Sequence, residues 1–178
     1  MTVSELNHLN EEQARQLFEQ CCAAQAWVNS MVTLRPFADQ QTLYNSANNV
    51  WRTMNEEDLL QAFQAHPQIG DAIGARIRFA NSKTFETEEQ DSIASTSEDT
   101  LQALAYGNKQ YLNKFGFIFF ICATQKTAEE MLECLQMRLH LSRKQELINA
   151  AEEQRKIIAL RLQKMLQVEH SPSKRSER

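Results

Sequence analysis

Chemistry in this chain starts at "QAFQAHPQIGDAIGAR", residues 61–76. The whole sequence has only four glycines and three prolines, yet His66, Pro67, Gly70 and Gly74 fall together here. A residue before proline is pushed out of the helical region, so a helix entering from the left stops near His66. Pro67 then fixes the direction in which the chain leaves. A ring held at such a helix end can project into a cleft, and imidazole is the side chain that exchanges a proton near neutral pH without help. A capping or packing histidine is the plainer alternative.

Two further groups could serve the same chemistry. Glu89 and Gln90 lie in the first turn of a predicted short helix, where the helix dipole favours an ionised carboxylate. Gln90 adds a donor and an acceptor, a combination suited to an amide- or urea-like ligand. Ordinary capping also accounts for Gln90, since Thr87 with Gln90 forms a capping-box pattern. Arg161 is the third group. On the last helix, Leu147, Ala151, Ile158 and Met165 share a face, and Arg161 falls between Ile157 and Met165 on its apolar flank. An arginine there must snorkel, pair, or grip an anion, whereas Arg155 and Lys164 read as solvent-face charges. Finally, "FGFIFFICA" (115–123) is a buried extended segment or a buried helix start. If extended and without a neighbouring strand, its backbone N–H groups remain free for a ligand.

The elements that must position these groups are helical. Scarce glycine and proline, with abundant Glu, Gln, Leu and Ala, favour helices throughout. Asn10 precedes one amphipathic run, "EEQARQLFEQCCAAQAWVNSMV", read as a single helix with Leu17, Cys21, Ala24, Val28 and Met31 on one stripe. Asp39 caps a helix carrying Leu43, Ala47, Val50 and Met54, and Asn55 caps "EEDLLQAF". Residues 67–86 have no clean period and read as a short helix or turn followed by a loop. Ser97 caps a helix with Leu101, Leu104, Ala105, Asn108, Tyr111 and Leu112 on its stripe, and Gly116 suits its C-terminal end. Thr127 with Glu130 is a capping box, and Ser142 with Gln145 opens a last helix over about 143–167. The expectation is an all-α, single-domain multi-helix bundle of about seven to nine helices with no sheet. The domain covers 1–166, and the polar tail at 167–178 is expected to be disordered.

Composition narrows the function. A net charge of −4 gives no electrostatic footprint for nucleic acid. No apolar run approaches the roughly 20 residues of a membrane span. The acidic N-terminus is neither a secretory nor a mitochondrial signal, so a cytoplasmic protein is expected. Cys21, Cys22, Cys122 and Cys134 lack C-x-x-C spacing and read as reduced, mostly buried thiols. His8, His66, His140 and His170 never fall at i, i+4, so no metal site is expected. Nucleotide-binding loops and the G-x-S-x-G elbow are absent from the sequence.

Taken together, "HPQIGD", "EEQ", "YLNKFGFIFFICA", "RL" and "E...A..EQRKIIALRL" resemble the signature of the 2-oxo-4-hydroxy-4-carboxy-5-ureidoimidazoline (OHCU) decarboxylase family, over about residues 10–166. The resemblance implies an all-helical, cofactor-free carboxy-lyase, typically a homodimer, acting on a small anionic substrate in the last step from urate to (S)-allantoin. By the same resemblance His66 matches the proton donor, and Pro67 belongs to its binding block. Glu89 and Gln90 match the pair that holds the substrate. Phe117, Ile118, Phe119, Phe120 and Ile121 match the stretch whose backbone contacts the ligand. Arg161 matches the arginine that meets a substrate anion. Glu86 is a departure, because the family has a serine there. Two other readings stay open: a related cofactor-free decarboxylase with an altered substrate, and a non-catalytic helical binding module.

Overall fold

The computed structural model describes residues 1–66, 97–122 and 126–167. Eight helices are present among the described residues, and no strand: α1 Val3–His8, α2 Glu11–Cys21, α3 Gln25–Thr33, α4 Gln40–Arg52, α5 Glu56–Gln64, α6 Glu98–Phe115, α7 Ala128–Arg138 and α8 Arg143–Gln167. The all-α expectation is met. Each start is written locally. The side chains of Asn10, Asp39, Asn55, Ser97 and Thr127 all accept from a backbone N–H one turn on. Gly116 ends α6 at φ 81°, a left-handed position that suits a residue without Cβ.

Three details differ from the sequence reading. The run after Asn10 is two helices, since Cys22 is extended (φ −154°) and α3 restarts at Gln25. On one straight helix Phe18 and Trp27 would sit nine residues apart on opposite faces. The break brings them edge to face, 5.9 Å between centroids, both fully buried. Next, α1 exists, opened by a Thr2–Glu5 capping box. Lastly, Leu112 is exposed, and the buried face of α6 runs instead through Leu101, Leu104, Gly107, Asn108, Tyr111 and Phe115.

The core is continuous from Leu6 to Met165. α2, α3 and α4 pack in succession, α6 pairs with α7, and α8 touches α2, α4, α5 and α6. The central helix α8 is therefore the frame against which the others are registered. Trp51 Nε1 donates to the Ala151 carbonyl at 2.9 Å and fixes α4 to it. Gly107 lets α6 approach α7 closely, because a Cβ there would lie 2.6 Å from Leu135 Cδ2. No helix among the described residues is long and apolar enough to cross a membrane.

Candidate active site

His66 follows the last turn of α5, where its N–H bonds the Phe63 carbonyl at 3.2 Å. Its ring is fixed twice. It lies flat on Phe120, with centroids 4.8 Å apart and planes 10° apart. Its Nε2 is 2.5 Å from Gln154 Oε1 on α8. Burial, and then the positive charge of Arg161, push the His66 pKa down to about 4, against a smaller opposite pull from the Gln154 contact. The ring is therefore neutral at pH 7, and the proton on Nε2 is donated to Gln154.

The aromatic segment after Gly116, residues 117–122, bends away from α6 and carries neither helix nor strand. Phe117, Phe119, Phe120 and Ile121 are buried, and Ile118 is half-buried. Phe63 packs on Phe117 and Phe120 at 5.4 and 4.8 Å, and Tyr111 meets Phe117 and Phe119 at 5.7 and 5.4 Å. The segment is held by side chains in place of a sheet. Arg138 Nη1 donates to the Phe120 carbonyl at 3.3 Å, and the Cys122 N–H donates to Glu153 at 2.8 Å. No described residue accepts from the N–H groups of Phe117 to Ile121. Of the two readings of this stretch, a helix start is excluded over residues 117–122.

Behind it stands a buried polar cluster that the sequence reading missed. Arg138 donates through Nε to Glu146 at 2.5 Å, Tyr111 donates its hydroxyl to the same carboxylate, and Asn149 donates to its other oxygen at 3.2 Å. Glu146 is fully buried and Arg138 nearly so. Arg138 also lies over the Phe119 ring at 5.0 Å. The available signal was a carboxylate and an arginine on apolar stripes, the same signal that marked Arg161.

Arg161 is half-buried and donates to the Gln20 carbonyl at 3.4 Å. It borders a shallow hollow, little larger than a water molecule and open to solvent, with Leu17, Gln20, Cys21 and Met165. Burial raises both the Cys21 and Cys22 thiols to about 12, with Arg161 pulling each the other way, so they stay protonated. His66 and Arg161 thus share an electrostatic neighbourhood, although His66 does not line this hollow. Pro67, Glu86, Glu89 and Gln90 lie outside the described residues. No cluster of metal-ligating side chains occurs among the described residues.

A profile of the OHCU decarboxylase family matches residues 7–163. The chain belongs to the OHCU decarboxylase family. It is 39% identical over 146 residues to the uric acid degradation bifunctional protein TTL of Arabidopsis thaliana, covering 82% of this chain and 45% of that protein. The chain thus spans less than half the length of that bifunctional relative. It is 30% identical to the 2-oxo-4-hydroxy-4-carboxy-5-ureidoimidazoline decarboxylase of Amia calva, covering 94% of this chain and 95% of the other. Among solved structures, an OHCU decarboxylase crystallised in the presence of (S)-allantoin superposes with a TM-score of 0.72 at 37% identity, over 84% of this chain and 96% of that one.

Proposed function

We propose that this chain converts 2-oxo-4-hydroxy-4-carboxy-5-ureidoimidazoline to (S)-allantoin without a cofactor, with residues 1–166 as the catalytic unit of a cytoplasmic homodimer. The observation that carries the reading is His66: a neutral imidazole laid flat on an aromatic wall, hydrogen-bonded at one nitrogen and under the influence of Arg161. That is a poised proton carrier, and its placement suits the family chemistry.

Loss of CO₂ leaves an electron pair on the carbon that carried the carboxylate. In this substrate that carbon adjoins a ring C=N, which takes up the pair, so the substrate is its own electron sink. The protein's remaining tasks are orientation, charge placement and proton delivery to one face. Arg161 holds the substrate carboxylate in a forked contact. Glu89 and Gln90 bond the ureido and ring N–H groups. The N–H groups of Phe117 to Ile121, without an acceptor among the described residues, receive the ring carbonyl or other acceptors. His66 is neutral before the substrate arrives. A bound anion both screens Arg161 and adds negative charge, and both changes raise the His66 pKa, so the ring takes up the proton it later delivers.

A second reading, a decarboxylase with an altered substrate, rests on Glu86 in place of the family serine. One assay separates the readings. Freshly generated substrate is mixed with the protein, and the circular dichroism of allantoin is followed. Uncatalysed protonation in achiral water has no facial preference and gives racemate, so an excess of the S enantiomer is the signal. His66→Asn folds normally and loses at least about 10²-fold in rate. Near-wild-type turnover by that variant would refute the assignment, and no enantiomeric excess from the wild type would refute the substrate.

A further inference from the structure

We propose that Gln154 is a positioning residue, which holds His66 in the single tautomer and rotation needed for proton delivery. The inference rests on the reading of His66 as the acid. Gln154 sits on the buried face of α8, 1% exposed, with Ile157 and Ile158 one turn on. A polar amide in that company is costly unless its hydrogen bonds are made. Its oxygen meets His66 Nε2. A neutral imidazole carries its one proton on either nitrogen, and the partner decides which. An acceptor at Nε2 selects the Nε2–H form and leaves Nδ1 bare, so Nδ1 is the nitrogen that takes up the proton and then delivers it. The Phe120 stack defines the plane of the ring. Stacking alone still allows the ring to flip about its Cβ–Cγ bond, which exchanges the two nitrogens. The amide removes that freedom.

The residue type is informative. Gln154 follows Glu152 and Glu153 in sequence, yet the position facing the ring is the neutral one. Glu153 turns elsewhere, to the Cys122 N–H and to Lys156 Nζ, at 2.8 Å each. A carboxylate at 154 would favour imidazolium permanently and repel an anionic substrate. An apolar residue would leave the ring free to flip. Glutamine does neither. Among the described residues, the charged group that acts on the ring is Arg161, on the same helix. The aromatic segment stacked on the ring carries no charge between Phe117 and Cys122.

The test uses the full chain with ¹⁵N-labelled histidine, the His66 resonances being assigned by their loss in His66→Asn. Wild type shows one neutral tautomer, protonated at Nε2. Gln154→Met, close in volume, shows a tautomer mixture, and its kcat falls about 10²-fold with KM within about threefold. Gln154→Glu raises the His66 titration midpoint by about one pH unit or more, moves the alkaline limb of the kcat profile up with it, and raises KM. A pure Nε2–H form in Gln154→Met with kcat within threefold of wild type overturns the proposal. So does an unmoved titration midpoint in Gln154→Glu, which decides the matter should the methionine variant not fold. An inactive His66→Asn beside fully active Gln154 variants removes only this inference. An active His66→Asn removes the functional reading itself.

Discussion

The buried Arg138–Glu146 pair makes the sharpest demand on stability and function together. Replacing Glu146 with leucine leaves a guanidinium in the core, 6% exposed. Its remaining partners are the Phe120 carbonyl at 3.3 Å and the Tyr111 hydroxyl at 3.4 Å. Neither neutralises the charge, so the cost is about 3–5 kcal/mol. Replacing Arg138 with methionine leaves a carboxylate that still accepts from Tyr111 and Asn149, and a carboxylate can also take up a proton. The smaller cost, about 2–3 kcal/mol, follows. With both changed, no orphaned charge remains, and the double variant is more stable than the sum of the singles implies by at least about 2 kcal/mol. Equilibrium urea unfolding at a fixed protein concentration and pH 7.5 measures all four corners of the cycle. Function should not recover with stability, because the double variant has still lost the donor that fixes the backbone of Phe120, whose ring stacks on His66. We expect it to fold and to turn over at least about tenfold more slowly. Additive stabilities would refute the ion-pair reasoning, and full activity in a stable double variant would refute the link from Arg138 to the site.

Other outcomes follow from single contacts. Arg161→Lys keeps the charge but loses the planar fork, so substrate binds about tenfold more weakly with a smaller change in kcat; steady-state kinetics that leave KM unchanged would count against that contact. His66 titrates near pH 4 in the folded chain and near 6.5 when unfolded. Stability is fully present above pH 6.5 and falls by up to about 3 kcal/mol as pH drops through 4. Urea titrations of His66→Asn should show that acid slope flattened. Gly107→Ala gains about 1 kcal/mol of helix propensity but drives a methyl to 2.6 Å from the buried Leu135. Overpacking wins, and the variant is less stable by about 1–2 kcal/mol, read as a lower urea midpoint.

Caps were legible because a cap is a local event. Asp39, Asn55, Ser97, Thr127 and Gly116 each act within one turn of themselves, so neighbours in sequence are neighbours in space. The α1 cap was equally visible, since Thr2 and Glu5 have capping-box spacing, but it lay in a stretch read only for its polarity. The break between α2 and α3 was not legible. Cys21, Ala24, Val28 and Met31 stay in helical phase across it, with neither glycine nor proline. The contact that favours the break, Phe18 with Trp27, forms only in the fold. At the site, His66 announced itself through Pro67, and Arg161 through its place on an apolar flank. The depressed His66 pKa had no such sign, because it depends on burial and on a charge 95 residues away in sequence. Gln154 and Glu146 did carry the sign that marked Arg161, a polar residue on a buried stripe.

That shared sign explains why α8 is so weakly amphipathic in pattern while being the central helix of the fold. Three polar side chains interrupt the face it turns to the core, and each answers a different need. Glu146 neutralises Arg138, which in turn holds the Phe120 carbonyl. Gln154, eight residues on, meets His66. Arg161, a further seven residues along, sits almost directly below Gln154, about 10 Å down the axis at 1.5 Å per residue. One rigid rod thus sets the spacing between the aromatic wall, the imidazole and the guanidinium. Hydrophobic residues at 146, 154 and 161, with Arg138 made apolar as well so that no buried charge is orphaned, would pack a more stable core, since buried polar groups cost more than they return unless fully matched. A variant apolar at 138, 146, 154 and 161 that unfolds at higher urea than wild type while losing turnover would show that α8 trades stability for alignment. One that is less stable than wild type would show that the polar residues hold the fold itself.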